Sequence, residues 1–179
     1  LHLVAEMGLL GWLFGYTGEY TAPQPVATKW FDDFETTLPD LTGKVVAITG
    51  CTSGTGYICA RACAKKGAIV AMLNRASPRA TEAEARLAAE IPGAKLEPIE
   101  CDLMSFASVR SAAEALRSKF GSSGIDVLCC NAGVMALKDM PTKDGFDVQM
   151  QTNHLSHFLL AKECFPLLEK AAAARGEAR

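Results

Sequence analysis

The sequence predicts an α/β fold built on a doubly wound parallel sheet, and three observations carry that expectation. From Lys44 onward, short apolar runs alternate with segments of helical periodicity, the pattern of strands joined by crossover helices. A glycine-rich turn lies directly between the first strand and the first helix of that series. The third strand segment contains Pro98, which needs a sheet edge, and strand order 3-2-1-4 provides one there.

The elements follow in turn. Lys44-Val45-Val46-Ala47-Ile48-Thr49 is β-branched and apolar enough for a buried parallel strand. A helix then runs from about Gly54 to Lys66, with Ile58, Cys59, Ala62 and Cys63 on its expected inner face. Lys65 and Lys66 suit its last turn, and Gly67 a left-handed end. Ala68 to Leu73 is the second strand. Ser77 then caps a helix with Pro78 at its first position, running to about Glu90 and stopped by Pro92-Gly93.

The third strand covers Leu96 to Cys101. Ser105 opens a helix with Phe106, Val109, Ala113 and Leu116 on one face and Gly121 at its end. Asp126 to Cys130 is the fourth strand. Asp144-Gly145 turns the chain into a long final helix that carries Pro166, where a kink is expected. The fourth strand is apolar on both faces, so a bare outer edge would invite aggregation. Two more strands are therefore expected beyond Arg179, and the sequence reads as a truncated domain.

Composition limits the function classes. A chain of 179 residues holds one domain with a proper core. A net charge of −2 with scattered Lys and Arg argues against a nucleic-acid partner. Seven cysteines without a C-x-x-C spacing argue against a disulfide framework or a zinc site. They read as small buried hydrophobes in an intracellular, reducing compartment, cytoplasmic or membrane-associated. No apolar run reaches the ~18 to 20 residues of a membrane span. The apolar, aromatic stretch from Met7 to Tyr16 suits a membrane interface or the protein's own surface. With no basic leading region and no small-residue cleavage site, a secretory signal is not expected.

The sharpest chemical signal is Thr49-Gly50-Cys51-Thr52-Ser53-Gly54-Thr55-Gly56, which leaves a strand and opens a helix. Its glycines let the backbone turn tightly and approach a diphosphate with no Cβ in the way. The helix start offers unpaired N–H groups and a positive dipole end to the same anion. In this setting the motif predicts a Rossmann dinucleotide-binding domain over 42–179, preceded by an extension over 1–41. Residues after the second strand meet the adenosine ribose, where an acidic side chain would repel a 2′-phosphate. Asn74-Arg75 stands there instead. A guanidinium pairs with phosphate, so NADP(H) is expected over NAD(H).

Taken together, these segments resemble the short-chain dehydrogenase/reductase family. Thr49 to Gly56 is similar to its T-G-x-x-x-G-x-G cofactor motif. Cys101-Asp102-Leu103 resembles the segment whose Asp contacts adenine. Cys130-Asn131-Ala132-Gly133 resembles N-N-A-G at the end of the fourth strand. Asp144-Gly145-Phe146 and Thr152-Asn153-His154-Leu155-Ser156-His157-Phe158 look most like the retinol-dehydrogenase-like branch. The resemblance covers about residues 42–170. There are departures: Thr55 replaces Ile or Leu behind the phosphate loop, Cys130 replaces an Asn, and Ser156 replaces a Gly.

The resemblance implies cofactor contacts from Gly50 through Gly56, Asn74, Arg75, Asp102, Leu103, Asn131, Ala132 and Gly133. It implies a catalytic Asn, Ser, Tyr and Lys, of which only Asn153 is matched. Tyr16, Tyr20 and Tyr57 have no Lys four residues on, so the Ser and the Y-x-x-x-K are expected after Arg179. The chain as given is then expected to bind cofactor without turnover. The implied reaction is hydride transfer between nicotinamide and a carbonyl or alcohol on a small hydrophobic substrate. Competing readings are a non-catalytic dinucleotide sensor or scaffold and a protochlorophyllide-reductase-like enzyme. Met135, Met140 and Met150 are candidates for a substrate cleft. His154 and His157 are spaced to share a metal ion, but packing and local hydrogen bonds are the expected role. Oligomeric state is not legible.

Overall fold

The computed structural model describes residues 30–179; the segment from Met7 to Tyr16, and Tyr20, lie outside them. Its sheet consists of β1 (Val45–Thr49), β2 (Ile69–Asn74), β3 (Lys95–Glu100) and β4 (Val127–Cys129) in the order β3-β2-β1-β4. Every pairing is parallel. The helices are α1 (Phe31–Thr37), α2 (Gly54–Lys65), α3 (Pro78–Glu90), α4 (Phe106–Phe120) and α5. The last opens at Val148–Met150, passes through one π-turn at Gln151–Leu155 and continues as Ser156–Arg175.

Alternation along β1 assigns the two faces of the sheet. Val46 and Ile48, with Val70 and Met72, pack against Tyr57, Ala60 and Ala64 of α2 and Leu87 of α3. Val45 and Ala47 pack on the opposite side, where α4 and α5 supply Val109, Leu116, Leu160 and Leu167. Strands buried on both faces read as continuous apolar runs, and β1 is buried at every residue. On α2 the expected inner face is corrected in part. Tyr57, Ala60 and Ala64 are buried, as is the expected Ala62, whereas Ile58, Cys59 and Cys63 are half-buried at the margin of the same core. Ala60 and Ala64 let the helix axis sit close to the sheet.

Local signals placed the helix ends well. Ser77 Oγ accepts the Ala80 N–H at 3.3 Å and Ser105 Oγ that of Ser108 at 3.4 Å, while Gly67 takes φ +88 after α2. The helix runs through Pro166, and its irregularity falls instead at the π-turn. Pro98 lies on the edge strand, as expected. The Cys101 N–H reaches Asn74 O at 2.8 Å across the pair, so alternation turns the Pro98 nitrogen to the open side.

Two expectations change. The proline-interrupted extension contains α1, which is tied to α2 by Glu35 Oε2 on Lys65 Nζ at 3.2 Å. The outer edge of β4 is not bare. Arg179 N–H donates to Asp126 O at 2.9 Å and Leu128 N–H to Arg179 O at 2.8 Å, the bond pattern of a parallel neighbour. Cysteine burial is also corrected: Cys51, Cys101 and Cys164 are buried, Cys59, Cys63 and Cys129 are half-buried, and Cys130 is exposed. Half-burial of Cys129 follows from its place on the outermost strand.

Candidate functional site

The carboxyl ends of all the strands open into one cleft with a volume of about 480 Å³. Its wall takes Gly50, Thr52, Ser53, Thr55 and Gly56 from the glycine turn, and Asn74 and Arg75 from the end of β2. Asp102 and Leu103 line it after β3, and Asn131, Ala132 and Gly133 after β4. Segments separated by some eighty residues in the sequence are thus brought to one surface, as a parallel sheet with this order requires.

Close backbone approach explains the glycines. Gly50 has φ +74, and a Cβ there would meet Ala132 Cβ at 2.9 Å. A Cβ on Gly56 would lie 2.2 Å from Gly50 O and 2.4 Å from Asn131 Nδ2. Gly54 has φ +57 and open space where a Cβ would point. The first and third glycines therefore close the turn on the β4 loop, and the second keeps its outer surface clear.

Helix α2 begins without a side-chain cap on Ser53, unlike α3 and α4, which Ser77 and Ser105 cap. Its first-turn N–H groups are left to whatever enters the cleft. Ser53 Oγ instead accepts Arg79 Nη2 at 3.1 Å. Arg79 lines the same cleft from the first turn of α3, and sequence reasoning missed it. Its spacing of four residues from Arg75 was the available signal. Arg75 is exposed, its Nη1 3.9 Å from Met104 Sδ. Both arginines thus line the cleft, Arg75 beside Met104 and Arg79 beside Ser53.

Some predicted residues act behind the surface. Cys51 is fully buried, with its N–H on Asn74 Oδ1 at 2.7 Å and its thiol on Ile48 O at 3.1 Å. Burial pushes that thiol far up, so Cys51 is an inert strut under the turn and does not line the cleft. Asn74 spends its oxygen on the same strut. Asn131 Nδ2 donates to Thr49 O at 2.9 Å and to Gly50 O at 3.2 Å, fastening the β4 loop to the glycine turn. Asp102 Oδ1 accepts the Met104 N–H at 2.9 Å. Thr55, expected to face inward in place of an aliphatic residue, is exposed and lines the cleft.

Asn153 stands in the π-turn and does not line the cleft. Its Oδ1 accepts the Val134 N–H and its Nδ2 donates to Val134 O, both at 2.8 Å. The side chain therefore clamps the loop that follows Gly133. That loop carries Met135 and Met140, both exposed, as is Met150. The two histidines part company. His154 is exposed, while His157 is buried between Thr49 and Asn153. Burial lowers the His157 pKa, and the bond to Asn153 opposes that only in part. Ser156, at the position of the family's glycine, is fully buried and donates to Leu103 O at 2.6 Å. Tyr57 is held by Arg86, whose Nε donates to its hydroxyl at 3.0 Å.

A glycine turn at an uncapped helix start, at the carboxyl edge of a 3-2-1-4 parallel sheet, defines a nucleotide-binding domain of the Rossmann type. The profile of the short chain dehydrogenase family matches residues 44–177, and the chain belongs to that family of oxidoreductases. An uncharacterized oxidoreductase of Schizosaccharomyces pombe is 36% identical over 173 residues, which cover 96% of this chain and 48% of that protein. The human WW domain-containing oxidoreductase is 36% identical over 165 residues, 89% of this chain and 39% of that protein. Among solved structures, the Pseudomonas aeruginosa RhlG/NADP active-site complex is 31% identical with a TM-score of 0.62. The match covers 75% of this chain and 52% of that one. L-sorbose reductase of Gluconobacter frateurii, complexed with NADPH and L-sorbose, is 28% identical with a TM-score of 0.58, covering 75% and 49%. The chain spans about half the length, or less, of these relatives.

Proposed function

We propose that this chain is the coenzyme-binding part of an NADP(H)-dependent oxidoreductase that interconverts a carbonyl and an alcohol. The observation that carries the reading is the pair Arg75 and Arg79, both lining a cleft with no acidic side chain directly after β2. The cleft suits such a coenzyme. Gly50 and Gly56 leave no room for a Cβ, the α2 start is uncapped, and Thr152 Oγ1 is buried without a hydrogen-bond partner among the described residues.

When bound, a nicotinamide dinucleotide supplies or accepts the hydride. The residues of this chain bind and orient it. Backbone N–H groups at the start of α2 would hold the diphosphate, and Arg75 and Arg79 the 2′-phosphate. Asp102 and Leu103 would flank the adenine. Asn131, Ala132 and Gly133 would line the path toward the nicotinamide, with Asn153 fixing the next residue of the loop. By resemblance to the family, Asn153 also belongs to the catalytic set. By the same resemblance, a Ser and a Tyr-x-x-x-Lys would complete that set. The exposed Met135, Met140 and Met150 at the loop and helix start favour a hydrophobic substrate, in keeping with a retinol-dehydrogenase-like branch.

Fluorescence titration with NADPH and NADH tests the coenzyme assignment. Arg75→Asp and Arg79→Gln are each expected to weaken NADPH by roughly tenfold or more, about 1.5 to 3 kcal/mol for a charge-assisted pair, while NADH changes little. Equal affinities for the two coenzymes in wild type and variants would refute it.

A further inference from the structure

His157 is one residue the nucleotide reading leaves without a task, and its surroundings determine its hydrogen atoms. Asn153 O, 3.1 Å from Nδ1, is a carbonyl and can only accept, so Nδ1 carries the proton. Burial keeps the ring neutral, so Nε2 is an acceptor. Its partner at 2.9 Å is Thr49 Oγ1, which must therefore donate. The two lone pairs of that hydroxyl are then aimed at the Asn131 N–H at 3.0 Å and the Ala132 N–H at 2.9 Å. One donor and two acceptor sites are all used. The alternative acceptor for the hydroxyl, Cys129 O, lies at 3.4 Å, a poorer partner than the imidazole.

We propose that His157 is a positioning residue for coenzyme binding, which fixes the Thr49 hydroxyl so that it holds the Asn131-Ala132 backbone against the glycine turn. This rests on the nucleotide reading above. Through Thr49 the ring ties the end of β1, which the sheet holds, to two segments that it does not: the loop after β4 and the π-turn. The other nitrogen holds the Asn153 backbone, whose side chain clamps Val134 in the same loop. Without the imidazole the hydroxyl has only Cys129 O, at 3.4 Å, to donate to, and the floor of the cleft loses its fixed acceptor.

The test measures NADPH affinity in the folded protein for His157→Phe, which keeps a ring and removes both nitrogens, for Thr49→Val and Thr49→Ser, and for the His157→Phe/Thr49→Val double variant. His157→Phe is expected to weaken binding about tenfold, as the loss of one buried hydrogen bond implies, and Thr49→Val, which removes all three bonds of the hydroxyl, by more. The double variant is expected to be no weaker than Thr49→Val alone, and Thr49→Ser to match wild type. Additive losses, or a folded His157→Phe that binds as wild type does, would overturn the proposal. Nitrogen-15 NMR of the wild-type imidazole gives a reading independent of the variants' folding. Protonation at Nδ1 supports the proposal, and protonation at Nε2 overturns it. A wild type with no affinity for either coenzyme would sink the nucleotide reading and this one together, whereas a binding wild type with an unaffected His157→Phe sinks this one alone.

Discussion

The guanidinium of Arg175 holds both oxygens of the Asp126 carboxylate, Nε to Oδ1 at 2.5 Å and Nη2 to Oδ2 at 3.0 Å. The same carboxylate accepts the Val45 N–H at 2.8 Å and lies 3.3 Å from Lys44 Nζ. A single acidic group thus fastens the start of β1, the start of β4 and the end of α5, at the end of the sheet opposite the cleft.

Acid is expected to undo this junction. Burial pushes the Asp126 carboxyl up, but Arg175, the Val45 N–H and Lys44 outweigh it and leave the group below its ordinary 3.8. A carboxyl depressed by folding adds stability above its unfolded pKa and loses it as pH falls through the folded value. Stability should therefore decline below about pH 4. Asp126→Asn should lose about 3 kcal/mol at neutral pH, as when one partner of a buried pair is removed, and show a flatter acid limb. Urea unfolding across a pH series measures both, and an acid limb identical to wild type would contradict the assignment.

The glycines of the turn should respond unequally to alanine. At Gly56 the new Cβ would lie 2.2 Å from a backbone oxygen, so the turn must move and dinucleotide affinity should be lost. At Gly54 the space is open and only the φ of +57 opposes the change, a cost of about 1 to 2 kcal/mol. Thermal unfolding with a coenzyme titration distinguishes them. Equal stability losses in the two variants would show that the close approach is misplaced.

Ser77→Ala should remove the cap on α3 and lower stability by about 1 kcal/mol, since Ser77 Oγ accepts the Ala80 N–H. Denaturant titration reads the shift in midpoint at constant slope. No shift would mean that Pro78 alone sets the helix start.

At the loop after Gly133, Asn153→Asp keeps an acceptor for the Val134 N–H but turns a second oxygen toward Val134 O, where Asn153 Nδ2 now donates. Because the clamp is exposed, the expected loss is at most about 1 kcal/mol, with faster hydrogen exchange at the Val134 amide. Unchanged exchange there would show that the clamp does not hold the loop.

Much of this was legible in the residue order because it is local. A proline in a strand calls for an edge, a Ser-Pro pair opens a helix, and a glycine turn between strand and helix leaves backbone N–H groups open at the helix start. What escaped was set by contacts across the fold. The inner face of α2 depends on how closely Ala60 and Ala64 let it approach the sheet, and helical spacing around Cys59 and Cys63 could not tell one apolar face from another. Ser156 reads as a mild replacement of glycine until Leu103 O is seen 2.6 Å away. Arg79 had only its spacing from Arg75 as a signal, and the fold is what sets it beside Ser53. For His157 the expected packing and local hydrogen bonds are found, but its partners Thr49 and Asn153 could not be read from its spacing to the exposed His154.

The two margins of the sheet are chemically unlike, and this gives the domain a direction of growth. At β3, Pro98 presents a ring where a backbone donor would be, and no incoming strand can complete a ladder there. At β4 the register is already begun, with Arg179 seated opposite Val127. An additional strand, from this polypeptide or another, is therefore favoured on the β4 side, where Arg179 already bonds in parallel sense, and disfavoured at the opposite rim, where one imino acid removes a backbone donor.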